Sequence, residues 1–250
     1  GNEIDVDEDS NRLILTIGKA SHTKKIDLDV RQFPSLTRRY IMEAYRSGFD
    51  DVNVTFQTIE DLKLIKETSS NILLGFEIVE QGKNVCTLRN VTKESDEEFE
   101  SLLRRIFQVT SVMIENGLEA IRKNDFELLK EAYVLEVTNN KFALYCERML
   151  NKTGKGSYLS TNFTFAIVYQ LEKIADEFKY IFDYISENKI KLSSGTIMLY
   201  EKISEMFNLC HRIYYDFDKN SADLLTAERK NIIVASEKLF KAVNKNEAKI

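Results

Sequence analysis

Residues 163–189 read FTFAIVYQLEKIADEFKYIFDYISENK, and their spacing is that of a helix. Thr164, Ile167, Val168, Leu171, Ile174, Ala175, Phe178, Ile181, Phe182 and Ile185 recur at three- and four-residue intervals. Apart from Thr164 they form the apolar stripe of a helix buried on a broad face. Glu172 and Asp176 interrupt the stripe. Side chains four residues apart on a helix stand one above the other, so both carboxylates project the same way, as a ligand pair or as a wet helix edge.

Four more helices are expected around this one. Asp96 to Lys123 carries Phe99, Leu102, Leu103, Ile106, Val109, Met113, Leu118 and Ile121 on one stripe. Further helices are expected over 125–151, 194–218 and 221–246, joined by loops of a few residues, which implies antiparallel neighbours in a bundle. The segment before residue 93 differs in kind. RLILTIG (12–18), KIDLDV (25–30) and VNVTF (52–56) have strand character, with Ile26, Leu28 and Val30 inward and Asp27 and Asp29 outward in the second. SLTRRYIMEAYRSG, from a Ser35 cap to Gly48, and IEDLKLIKETSSNILL, stopped by Gly75, are helical, and FEIVEQGKNVCTLRNV turns as a hairpin near Gly82. The expected class is α+β: a small α/β layer over residues 1–92 and an all-helical bundle over 93–250.

The bundle carries a short internal match. Lys123-Asn124-Asp125-Phe126-Glu127-Leu128-Leu129 resembles Lys219-Asn220-Ser221-Ala222-Asp223-Leu224-Leu225, 96 residues on. Asn at the turn with an acid three residues later suits a capping box in both places. A three-helix unit used twice is the expectation, the second lacking its last helix, whose start would fall near position 257. Either the sequence was cut there, or a partner chain is expected over the face of the fourth and fifth helices left bare. Gly1 reads as a remnant of tag removal, so the sequence is expected to be a fragment.

Composition narrows the chemistry. With 250 residues, 43% hydrophobic and 30% charged, the chain can bury a sizeable core. No apolar run reaches transmembrane length and no signal peptide is evident, so a cytoplasmic location without membrane insertion is expected. A formal charge of -5 argues against grip on nucleic acid by charge alone. Cys86, Cys146 and Cys210 read as reduced thiols, and His22 and His211 lack ligand spacing. His211 beside Cys210 on a helix faces another way, which argues against a catalytic pair. Gly154 and Gly156 lack the context of a phosphate loop and read as a flexible connection. Arg38-Arg39 and Arg104-Arg105 read as solvated helix faces, and the many aromatic rings of the bundle as core.

The opening stretch, with LEKIADE at 171–177, resembles the acidic helix of PhoU-like proteins, whose three-helix units carry E-x-x-x-D motifs. RRYIMEAYRSGFDDVNVTF and IKETSSNILLGFEIVEQ resemble the α/β segment of the archaeal-type members, in which an AbrB-like DNA-binding domain comes first. NRLILTIG looks like the last strand of such a domain. The resemblance implies a non-enzymatic regulator of phosphate uptake or phosphate signalling. Its implied partners are a phosphate transporter or signalling component and a second copy in a homodimer, with DNA reached only through a preceding N-terminal segment and a transcriptional output.

It also implies metal binding through acidic pairs on the second and third helices of a unit. The matching positions here are Glu136 and Asn140, an amide where an acid is expected, with Glu172 and Asp176. In the second unit, Ile232 and Ser236 replace the first two. Three carboxylates and an amide suit a divalent or iron-type ion better than a closed zinc site. The competing expectation is a hydrogen-bonded layer between helices with lysine or arginine neighbours. Two other functions compete: a ligand-sensing module whose α/β domain binds a small molecule, and a carboxylate-bundle metalloenzyme. The enzyme is disfavoured because neither histidine stands three residues after a Glu.

Overall fold

The computed structural model describes residues 4–9, 12–17, 23–153 and 158–243. Gly1, His22, Gly154 and Gly156 lie outside the described residues. The fold is α+β, with a small mixed sheet near the N-terminus followed by a helical region. It divides into two compact units, one of residues 1–99 with 144–168, the other of 100–143 with 169–250.

In the first unit, β1 (Ile4–Asp9) and β2 (Arg12–Ile17) pair as an antiparallel hairpin. The main sheet is built from β3 (Lys25–Asp29), β4 (Asp51–Thr55), β5 (Phe76–Gln81) and β6 (Val85–Asn90) in the order β3-β4-β6-β5. Helix α1 (Thr37–Arg46) makes the crossover between the parallel strands β3 and β4. Helix α2 (Ile59–Ile72) leads from β4 to β5 and packs on both α1 and β5. The alternation in β3 leaves Asp27 and Asp29 exposed and Ile26 and Leu28 half-buried, as its period of two requires.

Local chemistry sets the element ends. Thr58 accepts from the Asp61 amide at 3.1 Å, and Asp61 accepts from the Thr58 amide at 2.8 Å, a reciprocal capping box at the start of α2. Gly48 and Gly75 follow α1 and α2 with φ of 81° and 78°, a left-handed conformation that side chains resist. Ser35 does not cap α1: it lies inside a 3-10 turn, Pro34–Leu36, and Leu36 occupies the cap with no side-chain bond. Proline's fixed φ starts that turn one residue before the serine.

Beyond β6 the described residues form five helices: α3 (Asp96–Lys123), α4 (Phe126–Thr153), α5 (Tyr158–Asn188), α6 (Ser194–Tyr215) and α7 (Lys219–Phe240). The end of α4 belongs to the first unit. There Arg148, fully buried, donates from Nε to Glu94 at 2.9 Å and from Nη2 to Asp50 at 2.7 Å. Its Nη1 donates to the carbonyls of Tyr45 and Phe49 at 2.9 and 2.6 Å. Lys152 Nζ reaches Asp50 and Glu94 at 2.5 and 2.8 Å, and Arg46 pairs with buried Glu147 at 2.6 Å. A buried cation whose nitrogens all donate to acceptors escapes most of the desolvation cost that an unpaired one would carry.

In the second unit the helices pair in antiparallel order. Asn139 on α4 meets Thr110 on α3, Lys179 on α5 meets Glu136 on α4, and Ser186 meets the Phe126 carbonyl. Helix α6 runs against α3 through Ser111 with Asn208 and Arg122 with Glu201. Helix α7 packs on α6 and has only Ser221 and Ile232 buried. The two matching heptads differ in conformation. After α3, Asn124 takes a φ of 53° and Asp125 caps α4 through the Leu128 amide at 3.0 Å. At the second, Asp218 caps α7 through the Ser221 amide at 2.8 Å, so Lys219 and Asn220 are already helical. The capping boxes expected from Glu127 and Asp223 are thus replaced by an aspartate preceding each helix. Asp accepts from a helix-start amide wherever it immediately precedes the first turn, and that position has shifted between the two sites.

Candidate functional site

The helical periods of α4 and α5 bring three of the four expected ligands into one cluster. Glu136 is 3% exposed, and its Oε1 accepts from Asn140 Nδ2 at 2.6 Å and from Lys179 Nζ at 3.1 Å. Asp176 lies near enough to Glu136 to push its carboxyl upward. Glu172 stands one turn back on α5. Lys173 bridges it to Asp176, its Nζ lying 3.1 Å from Glu172 Oε2 and 2.9 Å from Asp176 Oδ2. Two residues on the same helix, Lys173 and Lys179, are the members that the motif-based analysis missed. Both stand three residues from Asp176, the spacing at which helical side chains meet, so the signal was there.

Electrostatics follow from burial. Desolvation pushes the Glu136 carboxyl above its ordinary value, with Asp176 adding to the rise and Lys179 and Asn140 opposing it. Burial by itself lowers Lys179, yet the Glu136 hydrogen bond and the surrounding negative charges leave it raised. Lys173 is held well above the ordinary lysine value, chiefly by its hydrogen bond to Asp176. The cluster is therefore a compensated layer in which each carboxylate already has a lysine beside it.

This arrangement bears on the expected metal. One feature favours a further cation: the Asn140 Oδ1 is buried and accepts no hydrogen bond. Against it, two ammonium groups already engage the three carboxylates, and among the described residues no group of three or more His, Cys, Asp or Glu is placed to hold a metal ion. A divalent ion here would have to displace Lys173 and Lys179, so the residues as they stand do not make a ready site. Deeper in the same unit, Asn139 is fully buried and donates to Thr110 Oγ1 at 2.6 Å, while Thr110 donates to the Ile106 carbonyl. The Asn139 Oδ1 also lacks a partner.

The aromatic rings divide. Phe107 stacks on His211 with centroids 4.7 Å apart and 5° between planes, and Tyr214 and Tyr215 close around them. Phe178 and Phe182 are core, but Phe163, Tyr169, Tyr180 and Phe217 are exposed, correcting the expectation that the rings are uniformly core. On α5 the period of 3.6 turns 163 and 180 away from the stripe of 171, 175, 178 and 182. Arg38, Arg39, Arg104 and Arg105 are exposed, and Arg104 lies 4.1 Å over the Tyr215 ring. Cys86 and Cys146 are buried, and burial raises all three thiols. Among the described residues no helix is long and apolar enough to cross a membrane. Compared with known proteins, the chain matches no family model, no curated protein and no solved structure.

Proposed function

We propose that this chain is a non-enzymatic, cytoplasmic regulator of phosphate uptake or phosphate signalling that works through protein–protein contacts. The observation that carries the contact half of this reading is α7. It packs on α6 and leaves Leu224, Ile233, Val234 and Phe240 between 43% and 65% exposed. Large apolar side chains on one solvent-facing helix suit a partner surface. The phosphate half rests on the PhoU-like resemblance of 171–177 and of the α/β segment. A non-enzymatic role is supported by the acidic cluster, where lysines already neutralise the carboxylates that an acid–base or metal mechanism would need free. The partner in this reading is a phosphate transporter or signalling component, or a second copy of the chain.

The test is made in cells of the source organism that lack the gene. Phosphate uptake is measured after phosphate is restored to starved cells, with complementation by the wild type and by Ile233→Glu/Val234→Glu. Loss of the normal fall in uptake, rescued by the wild type and not by the double variant, is the expected result. Unaltered uptake in the deletion sinks the phosphate reading, and full rescue by the double variant sinks the role of α7.

A further inference from the structure

Between α3, α5 and α6 the second unit holds a cavity of about 580 Å³, within the size range of small-molecule sites. Its floor is aromatic: Phe107, Phe178 and Phe207 are each at most 6% exposed. Ile174, Ile203 and Met206 are half-buried and line it as well. The lining positions on α6, 203, 206, 207 and 210, follow the three- and four-residue rhythm of one helix face, so the apolar wall is continuous for two turns.

The charged groups on this wall are unequal. Lys173 is the one basic residue of the lining, and Glu172 and Asp176 already hold it at 3.1 and 2.9 Å. Glu177 is exposed and, among the described residues, has neither an ion pair nor a hydrogen bond. An anionic ligand would have to break the double bridge of Lys173 to find a counter-charge. A cation meets a free carboxylate beside a wall of phenyl rings, whose faces attract organic ammonium groups.

We propose that this cavity binds an organic ammonium: an apolar body seated on Phe107, Phe178 and Phe207 with its cationic head at Glu177. The inference is independent of the phosphate reading and places ligand binding in the helical unit, whereas the sensor alternative put it in the α/β domain. Cys210 supplies a reporter, since it lines the cavity while Cys86 and Cys146 are 1% and 0% exposed.

The experiment titrates phenylbutylammonium, phenylbutanol and phenylbutanoate against the whole chain. Equilibrium dialysis gives affinity, and the rate of Cys210 alkylation by iodoacetamide gives occupancy. The ammonium is expected to bind about fivefold tighter than the alcohol, with phenylbutanoate weakest, and to slow Cys210 alkylation. Glu177→Gln, at an exposed position that leaves folding intact, should bring ammonium and alcohol to within about twofold. Ile203→Trp, which fills the cavity, should abolish binding of all three. The proposal is overturned if none binds, if phenylbutanoate binds best, if Glu177→Gln keeps the full preference, or if a folded Ile203→Trp still binds.

Discussion

Replacing Arg148 by Met keeps an unbranched apolar stem and removes the guanidinium that ties the end of α4 to the turn after α1. Four hydrogen bonds go, two to carboxylates and two to the Tyr45 and Phe49 carbonyls. The two carboxylates, Asp50 and Glu94, have side chains only 13% and 8% exposed, so water replaces the lost partner poorly. Removing one partner of a buried pair costs about 3–5 kcal/mol. Lys152 still reaches both carboxylates, which puts Arg148→Met at the lower end, about 3 kcal/mol. Lys152→Met, with Arg148 in place and its own side chain 23% exposed, should cost about 1 kcal/mol. The double variant leaves two buried acids without a cation, so its loss should exceed the sum of the singles by about 1 kcal/mol or more. Urea unfolding followed by far-UV circular dichroism gives the energies. Hydrogen exchange resolved by peptide places them, with protection lost first around residues 45–50 and 144–153. Strict additivity, or a loss below about 1 kcal/mol for Arg148→Met, would refute the buried network as the clamp.

Gly117→Ala puts a methyl group inside the van der Waals envelope of the buried Phe182 ring. A net loss of about 1–3 kcal/mol is expected in chemical denaturation, despite alanine's better helix propensity. Thr58→Ala removes half of the α2 capping box and should cost about 1 kcal/mol, read as a lower urea midpoint with an unchanged slope. Glu136 has a folded pKa raised above its unfolded value, so its contribution is largest while it is protonated and is lost as pH rises through the raised pKa. Glu136→Gln should therefore gain stability relative to the wild type between pH 4 and pH 7, and a difference that does not change with pH in paired melts refutes the shift. Millimolar manganese should leave the melting temperature of the wild type unchanged and raise that of Lys173→Met/Lys179→Met, where the carboxylates are freed. A shift in the wild type would restore the metal reading.

What could be read from the chain follows the range of the interactions involved. Helix α3 was expected over Asp96–Lys123 and has those bounds, because its stripe, its acidic first turn and its basic last turn are local signals. The hairpin β5–β6 and the stops at Gly48 and Gly75 were legible for the same reason. Helical period alone aligned Glu172 with Asp176 and Glu136 with Asn140. Which cation each carboxylate meets depends on antiparallel register: Lys179 reaches Glu136 across 43 residues of chain, and no spacing rule within one helix specifies that distance. Arg148 makes the same point more sharply. In sequence it is one more charged residue near a helix end, in CERML, where a solvated role is the default. Its partners lie 98 to 103 residues away for Asp50, Phe49 and Tyr45, and 54 away for Glu94.

The same contrast separates the two acidic sites by what they can do. Around Arg148, backbone carbonyls and carboxylates converge on a side chain that is 0% exposed, and all three of its nitrogens donate, so the site holds the fold together. Around Asp176 the compensation is shared among lysines whose side chains are 23% and 41% exposed, and Asn140 Oδ1 still lacks a partner. Lys173, the more exposed of the two, can swing to water and release Glu172 for close to the energy of an exposed ion pair, about 0–1 kcal/mol, whereas Lys179 faces a buried Glu136 and stays. That low cost is what a switchable contact requires. Next to Asp176 on α5, Glu177 needs no release at all, so the α5 face beside the cavity, and not the clamp on α4, is where an incoming cation meets the least resistance.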